Sequence, residues 1–336
     1  MTKLQINPDL IESHFSPRNW KIIKNEKGML FYKKEPNSSD KIISQSKVID
    51  KNFPELFSQF EDITTNYFSS RMQNFKKLNS INIFKGYNNN SFVSTGLEYY
   101  YDYLYKDKPV DDCGTMIIQP SIRFKLNFFN KDLYEKNDKY DYSSISFNNL
   151  SIVNKYKEFD IIYQIEVVIE YLSKLKIHAS RVTFLIEDKV FEKDNNVSYR
   201  AIKFFVDNLE VGDILFFTTK EGYMIEYGFG FERLMSRIIN KKYRDLFIKN
   251  NNYDQESLLG ANFLTLMCLF DNNLKNRGAK SKINEVLNAV NEKKDIMDIG
   301  LIFDNYLYWK QIIDDPYSPN SFGEVTRKYI KMIRRK

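Results

Sequence analysis

One stretch decides how this chain is interpreted, namely Ile225-Glu-Tyr-Gly-Phe-Gly-Phe-Glu-Arg-Leu-Met-Ser-Arg237. It begins as a β-prone run, passes two glycines and continues with helix-forming residues, so it predicts a strand that turns directly into a helix. Gly228 and Gly230 would let the backbone approach a ligand closely, and the new helix would offer free N–H groups to an anion. Arg233 would lie in the first helical turn. An anion-binding junction is one interpretation, and a tight turn with a surface arginine is the other.

A second arginine follows a β-prone run earlier in the chain. The residues Ile118-Gln-Pro-Ser-Ile-Arg123 predict a strand that ends at Arg123, shortly before a polar loop at 127–142. A single arginine at such a position is usually a solvated edge charge. A guanidinium at each end of a triphosphate, however, can fix that group and neutralise charge that develops at the α-phosphorus. Arg123 and Arg233 together therefore predict a nucleoside triphosphate site.

Composition limits the class of protein. The chain has 336 residues, of which 43% are hydrophobic and 28% charged, so disorder and collagen are excluded. The chain has only two cysteines and no apolar leader, so we expect a reduced, cytoplasmic protein. No apolar run approaches the ~18 residues that a spanning helix needs, so we expect the protein to lie outside the membrane. A net charge of +6 permits a polyanionic partner. The spacing of His14, Cys113, His178 and Cys268 fits no zinc site.

Hydrophobic periodicity predicts an α+β fold, in which an antiparallel, hairpin-rich sheet carries packed helices and a helical C-terminal extension follows. The predicted strands are a hairpin at 20–33 and runs at 41–48, 92–104, 115–126, 144–153, 181–186, 213–219 and 223–228. The predicted helices are 53–72, 156–175, 199–209, 231–240, 256–275, 281–293, 296–313 and 324–335. We predict three domains: an N-terminal hairpin and helix region at 1–80, a mixed domain at 81–252 and a helical domain at 253–336.

The order of these motifs resembles a known family. A strand with an arginine, a loop and a second strand, followed later by Gly-x-Gly-x-Glu-Arg-Leu, resembles motifs 2 and 3 of class II aminoacyl-tRNA synthetases. The similarity is closest to alanyl-tRNA synthetase and the α subunit of bacterial glycyl-tRNA synthetase. Residues 226–234 resemble Asp-Thr-Gly-Met-Gly-Leu-Glu-Arg-Leu, residues 119–123 resemble the motif 2 strand, and residues 92–104 resemble the stretch before it. The similarity covers roughly residues 85–250.

Several positions depart from the family pattern. Glu226 stands where the alanyl family has an aspartate that binds the substrate ammonium, so the charge is kept on a longer side chain. Residues 142–149 replace His-His-Thr-Phe-Phe-Glu-Met, keeping Phe147 as a ring for adenine stacking and losing both histidines. The editing domain is absent, residues 1–80 do not match, and little sequence corresponds to the tRNA-reading region. The chain is therefore similar to a truncated synthetase paralogue.

The resemblance implies an AMP-forming ligase that uses ATP and Mg²⁺ to activate a small amino acid and passes the aminoacyl group to an acceptor. That acceptor is a carrier protein, a peptide, a small molecule or a tRNA acceptor end, and a homodimer is left open. The implied residues are Arg123 and Arg233 for catalysis, Arg123, Phe147, Gly228, Gly230 and Arg233 for ATP, and Glu226 for the amino acid, with no protein-only metal cluster. The alternative is a non-catalytic paralogue that serves as a nucleotide-binding or regulatory subunit.

Overall fold

A computed structural model gives the structure of the chain in two compact units. It describes residues 7–25, 28–33, 53–84, 92–106, 113–124, 145–158, 160–187, 191–193, 197–219, 222–240, 253–270, 277–290, 292–313 and 321–334. The sheet unit comprises Met1–Leu78, Tyr100–Ile117 and Leu150–Asn240, and the helical unit comprises Asn79–Tyr99, Ile118–Asn149 and Lys241–Lys336. The predicted strand at 41–48 and the polar loop at 127–142 lie outside the described residues. The three predicted domains stay a prediction.

The described elements confirm the α+β class. The strands are β1 Trp20–Asn25, β2 Gly28–Lys33, β3 Lys76–Leu78, β4 Thr115–Ile122, β5 Ser146–Tyr156, β6 Val182–Glu187, β7 Phe191–Lys193, β8 Val197–Val206, β9 Leu209–Thr219 and β10 Gly222–Gly230. The α-helices are α1 Pro8–Phe15, α2 Phe53–Ser69, α3 Tyr101–Lys106, α4 Ile161–Lys174, α5 Phe231–Ile239, α6 Gln255–Leu269, α7 Arg277–Val290, α8 Ile299–Ile312 and α9 Phe322–Arg334. Short 3₁₀ turns lie at Ser16–Arg18, Gly96–Tyr100, Ala179–Arg181 and Lys294–Met297.

Ten strands in the described part of the chain form one mixed, mostly antiparallel sheet. Their order is β1-β2-β6-β8-β9-β10-β5-β4-β3, with β7 paired beside β8. The pairs β1–β2, β2–β6, β6–β8, β7–β8, β8–β9 and β9–β10 are antiparallel, and β3–β4 is parallel. The predicted hairpins at β1–β2 and β9–β10 are both confirmed. Strands β4 and β5 pass from one unit to the other, since residues 118–122 and 146–149 belong to the helical unit.

Helices α2 and α4 pack on one face of the sheet unit. Phe68 of α2 and Tyr171 of α4 lie 5.0 Å apart between ring centroids, and the Thr64 and Tyr171 hydroxyls are hydrogen-bonded at 2.8 Å. Tyr227 lies 5.6 Å from Phe68, and Phe229 lies 5.2 Å from Tyr171. Side chains alternate along a strand, so these two aromatic residues of β10 define the helix-covered face of that strand. Its even-numbered residues point to the opposite face.

The helical unit is built around α6. Every residue from 257 to 270 is buried, and α7, α8 and α9 contact this helix. The Asp254 side chain caps α6 by accepting a hydrogen bond from the Ser257 N–H at 2.9 Å, and Asp298 caps α8 through the Leu301 N–H at 3.0 Å. Such caps satisfy orphan N–H groups and fix where a helix begins. The predicted C-terminal helices are therefore confirmed, with ends shifted by several residues.

The strand predicted at 92–104 is wrong. This tyrosine-rich segment instead forms the 3₁₀ turn Gly96–Tyr100 and then α3. The Glu98 carboxylate accepts hydrogen bonds from both the backbone N–H and the hydroxyl of Ser94, at 2.7 and 2.8 Å. That local bonding favours a turn over an extended strand, because it gives the backbone donors a partner within the segment.

The helix predicted at 199–209 is also wrong, because residues 199–206 belong to β8. Asp207 and Asn208 have positive φ angles of 48° and 64° and form the two-residue connection to β9. Such a left-handed pair closes a tight antiparallel hairpin. A third difference concerns the helix predicted at 156–175, which begins only at Ile161 because β5 continues to Tyr156 and Asp160 is the N-cap.

No helix in the described ranges has the length and apolar character that crossing a membrane would require.

Candidate functional site

The glycine-containing junction of the sheet unit forms as the sequence predicts. Strand β10 ends at Gly230 and α5 begins at the next residue, Phe231, which packs edge-on against Phe57 and Phe60 at centroid distances of 5.6 and 5.2 Å. Gly230 is the N-cap, and it makes no side-chain capping bond to the helix. The first turn of α5 therefore directs its backbone N–H groups toward the end of β10, and Gly230 supplies no side chain to cap them.

Glu226 and Gly228 lie on the face of β10 opposite α2 and α4. Glu226 is only 2% exposed, and its Oε1 accepts a hydrogen bond from the Ser151 hydroxyl of β5. A Cβ added at Gly228 would stand 2.8 Å from Asp213 Oδ1 and 3.6 Å from Glu226 Oε1. The carboxylates of Asp213 and Glu226 therefore both lie close to Gly228, where any side chain would collide with Asp213. A positively charged group is the chemical partner that two neighbouring carboxylates favour.

The Arg233 side chain folds back over the start of its own helix. Its Cδ and Cγ lie 3.4 and 3.7 Å from the position that a Cβ would take at Gly230, as expected for helical side chains that point toward the N-terminus. Its Nη1 donates to the backbone oxygen of Glu210 at 3.3 Å. The guanidinium therefore lies at the N-terminal end of α5, beside the start of β9, and the neighbouring Glu232 is buried.

The helical unit holds the other two predicted residues. Arg123 follows β4, is exposed, and donates from Nε to the Ser94 backbone oxygen at 2.8 Å. Its Cζ lies 5.1 Å from the centroid of the half-buried Phe147 ring, so the cation lies over an aromatic face. The Arg123 backbone N–H donates to the Ile145 oxygen at 2.9 Å, which fixes the end of β4 against the start of β5.

Asn149 lies two residues after Phe147 on β5, and the sequence alone did not indicate a role for it. Its Oδ1 accepts hydrogen bonds from the Thr95 hydroxyl at 3.0 Å and the Gly96 N–H at 2.8 Å. These contacts tie the turn after Ser94 to the same end of β5 that carries Phe147. An asparagine two residues after an aromatic residue on a predicted strand carries no recognisable signal, because its partners are 53 and 54 residues away in sequence.

The predicted residues are therefore brought together in two groups. Glu226, Gly228, Gly230 and Arg233 are neighbours in the sheet unit, and Arg123 and Phe147 are in contact in the helical unit. Burial raises the pKa of Tyr227 well above its ordinary value, and its hydroxyl donates to Gln164 on the helix-covered side of β10. Among the described residues, no three His, Cys, Asp or Glu side chains come together as metal ligands would.

Comparison with known proteins gives similarity at the level of solved structures. No protein-family model and no curated protein matches the sequence. Aspartyl-tRNA synthetase from Entamoeba histolytica matches with a TM-score of 0.39 at 10% identity, over 58% of this chain and 57% of that one. PylSc, a pyrrolysyl-tRNA synthetase from Desulfitobacterium hafniense, matches with a TM-score of 0.36 at 11% identity, over 55% of this chain and 70% of that one. The closer resemblance to alanyl-tRNA synthetase stays a prediction.

Proposed function

We propose that this protein is an AMP-forming ligase that activates a small amino acid with ATP and transfers the aminoacyl group to an acceptor. The observation that carries the proposal is the junction of β10 and α5. Within five residues, the chain there carries the buried carboxylate of Glu226, the glycine at 228 beside two carboxylates, and a helix N-terminus after Gly230 that has no side-chain cap. Such an arrangement offers a cation site and an anion site side by side, which suits an amino acid that is joined to a phosphate.

Glu226 is the residue that we assign to the substrate ammonium. Its carboxylate is buried and held by Ser151, so it is fixed in orientation before a substrate arrives. A buried carboxylate that gains an ammonium partner is stabilised far more than an exposed one. Because Glu226 is longer than the aspartate of the alanyl family, it would fill more of the pocket, and the proposed substrates are therefore glycine, alanine and serine.

Arg233 and the first turn of α5 are the groups that we assign to nucleotide phosphates. The guanidinium already lies at the N-terminal end of the helix, where N–H groups and the helix dipole favour negative charge. In the helical unit we assign the exposed Arg123 to the α-phosphate and the Phe147 ring to adenine. Mg²⁺ would enter with the ATP phosphates, and no protein cluster is assigned to it.

The proposed chemistry needs no side-chain nucleophile. The substrate carboxylate attacks the α-phosphorus of ATP and forms the aminoacyl-adenylate, while the bond to pyrophosphate breaks. Rate enhancement then comes from in-line placement and from cations that offset the developing negative charge. Arginines suit both tasks because they stay charged and donate several directed hydrogen bonds.

The decisive experiment is ATP–pyrophosphate exchange with the full chain and each standard amino acid. We expect exchange that requires both Mg²⁺ and one of the small amino acids. ATP binding without exchange for any amino acid would instead favour the second candidate, a nucleotide-binding or regulatory subunit. The loss of the family's two histidines at 142–149 is the observation that favours that candidate. The proposal also includes a cytoplasmic location and leaves a homodimer open.

A further inference from the structure

We infer that a buried polar network in the helical unit positions Phe147 and Arg123, and that Ser146, Asn262 and Tyr308 are positioning residues for nucleotide binding. This inference rests on the proposed function, because it assumes that Phe147 contacts the nucleotide. The network lies on the side of β5 away from Phe147, and its members come from β5, α6 and α8.

The first branch of the network begins at Ser146. Its hydroxyl donates to Asn262 Oδ1 at 2.5 Å, and Asn262 Nδ2 donates to Asn305 Oδ1 at 3.0 Å. Asn305 Nδ2 in turn donates to the Leu301 backbone oxygen at 2.9 Å, and the Trp309 indole N–H donates to the Asn262 backbone oxygen at 3.1 Å. Ser146, Asn262 and Asn305 are all buried. The branch therefore forms a continuous chain of satisfied donors and acceptors from β5 to two helices.

A second branch leaves the same strand two residues later. Asn148 Nδ2 donates to the Tyr308 hydroxyl of α8 at 2.9 Å, and both residues are buried. Because side chains alternate along a strand, Ser146 and Asn148 point toward the helices while Phe147, which lies between them, points the other way. The two residues that flank Phe147 are thus both anchored by hydrogen bonds.

Anchoring both neighbours fixes the backbone from which the Phe147 ring projects. It also acts on Arg123, because the Arg123 N–H donates to the oxygen of Ile145, the residue before Ser146. A fully apolar contact would hold this strand end less specifically, since apolar packing lacks the direction of hydrogen bonds. The network therefore sets the position of the cation and ring pair, whose separation is 5.1 Å.

Ser146→Ala and Tyr308→Phe test the inference by removing one hydrogen-bonding hydroxyl each. We expect the affinity for Mg·ATP, measured by calorimetry on the full chain well below its melting temperature, to fall about tenfold in each variant. Ser146→Thr retains a hydroxyl and should restore most of the affinity. Where exchange activity is measured, the KM for ATP should rise while the KM for the amino acid stays unchanged.

Two control variants separate positioning from general destabilisation. Tyr329→Phe removes a buried hydroxyl that donates to the Ile296 oxygen at 3.0 Å, so it loses the same kind of bond in the same unit but away from β5. Thr265→Val removes a buried hydroxyl from α6 itself, three residues after Asn262, where Oγ1 has no hydrogen-bond partner. Both controls should bind Mg·ATP as the wild type does.

The outcomes also separate this inference from the proposed function. If Phe147→Ala weakens ATP binding but Ser146→Ala and Tyr308→Phe do not, the positioning role is overturned and the assignment of Phe147 stands. Equal weakening in Tyr329→Phe would overturn it as well, because the effect would then follow stability. If Phe147→Ala leaves ATP binding unchanged, the assignment of Phe147 fails and the inference fails with it.

Discussion

The position that a Cβ would take at Gly212 is occupied by the backbone carbonyl oxygen of Gly228 on the neighbouring strand. A Cβ at position 212 would overlap that oxygen and would also stand 2.5 Å from Cζ of Phe204. Neither the backbone oxygen nor the packed ring can move freely. The close approach of β9 and β10 at the candidate site therefore depends on a glycine that belongs to neither of the motifs found in the sequence.

Gly212→Ala should destabilise the protein by about 3 kcal/mol, because overpacking here acts on backbone and on a buried ring. Urea or thermal unfolding measures the change. The matched control is Gly323→Ala in α9, where an added Cβ meets no atom within 4 Å and helix propensity favours alanine. The control should be neutral or slightly stabilising, and equal losses in both variants would contradict the packing argument.

Arg123→Ala and Arg233→Ala should each weaken ATP binding at least tenfold, because each substitution would remove charge-assisted hydrogen bonds worth about 1.5–3 kcal/mol. Calorimetry measures the affinity, and the melting temperature should barely change. Arg327→Ala is the matched control, since Arg327 is another exposed arginine whose Nε donates to a backbone oxygen, that of Gly323 at 3.3 Å. Unchanged ATP affinity in both site variants would remove these two residues from the site.

Glu226→Gln should raise the KM for the amino acid much more than the KM for ATP, because it keeps the shape of the side chain and removes the charge that pairs with the ammonium. Exchange kinetics with glycine, alanine and serine provide the measurement. Glu166→Gln serves as control, since Glu166 pairs with His14 and Arg18 on α1 and the turn that follows it. Exchange that is confined to large or aromatic amino acids would contradict the assignment of a small pocket.

The acceptor is expected to be something other than a complete tRNA. With a net charge of +6, tRNA contacts should be limited to the acceptor end and should weaken strongly between low and physiological salt. The test incubates the protein with ATP, the activated amino acid and total tRNA, and collects acid-precipitable aminoacyl-tRNA. Efficient charging of one tRNA at physiological salt would make the protein a compact synthetase instead.

Stability should fall steeply at alkaline pH. Burial raises the pKa of Tyr171 and Tyr329 above the ordinary value of 10 and that of the Cys268 thiol to about 12. The unfolded chain releases these protons first, so the stabilisation is complete below pH 9 and is lost as pH rises above the unfolded pKa values. Each group contributes a slope of about 1.4 kcal/mol per pH unit.

Urea unfolding from pH 8 to 11 checks this dependence. The variant Tyr171→Phe lacks one of the ionisable groups. The slope of its unfolding free energy against pH should therefore be smaller than that of the wild type by the contribution of one tyrosine. A slope that is identical to that of the wild type would show that Tyr171 ionises equally in both states.

The sequence predicted best those features that depend on neighbours in the chain. The β10–α5 junction could be predicted because glycine, strand and helix signals lie within a few residues of one another. The helix predicted at 199–209 fails because the positive φ angles of Asp207 and Asn208 close a tight hairpin there. Gly212 and Asn149 could not be identified, because what makes them important is a close approach or hydrogen bonds to segments distant in sequence.

Helix α6 carries apolar side chains around its whole circumference, so no face of it can rest in water while its partners are absent. Its three helical partners, α7, α8 and α9, all follow it in the chain. At ~5–20 residues per second, translation takes seconds to deliver the last of them. During synthesis, α6 is therefore the segment that depends most on a chaperone that binds exposed apolar helices. A chain truncated before α9 would leave part of α6 exposed and would depend on that chaperone permanently.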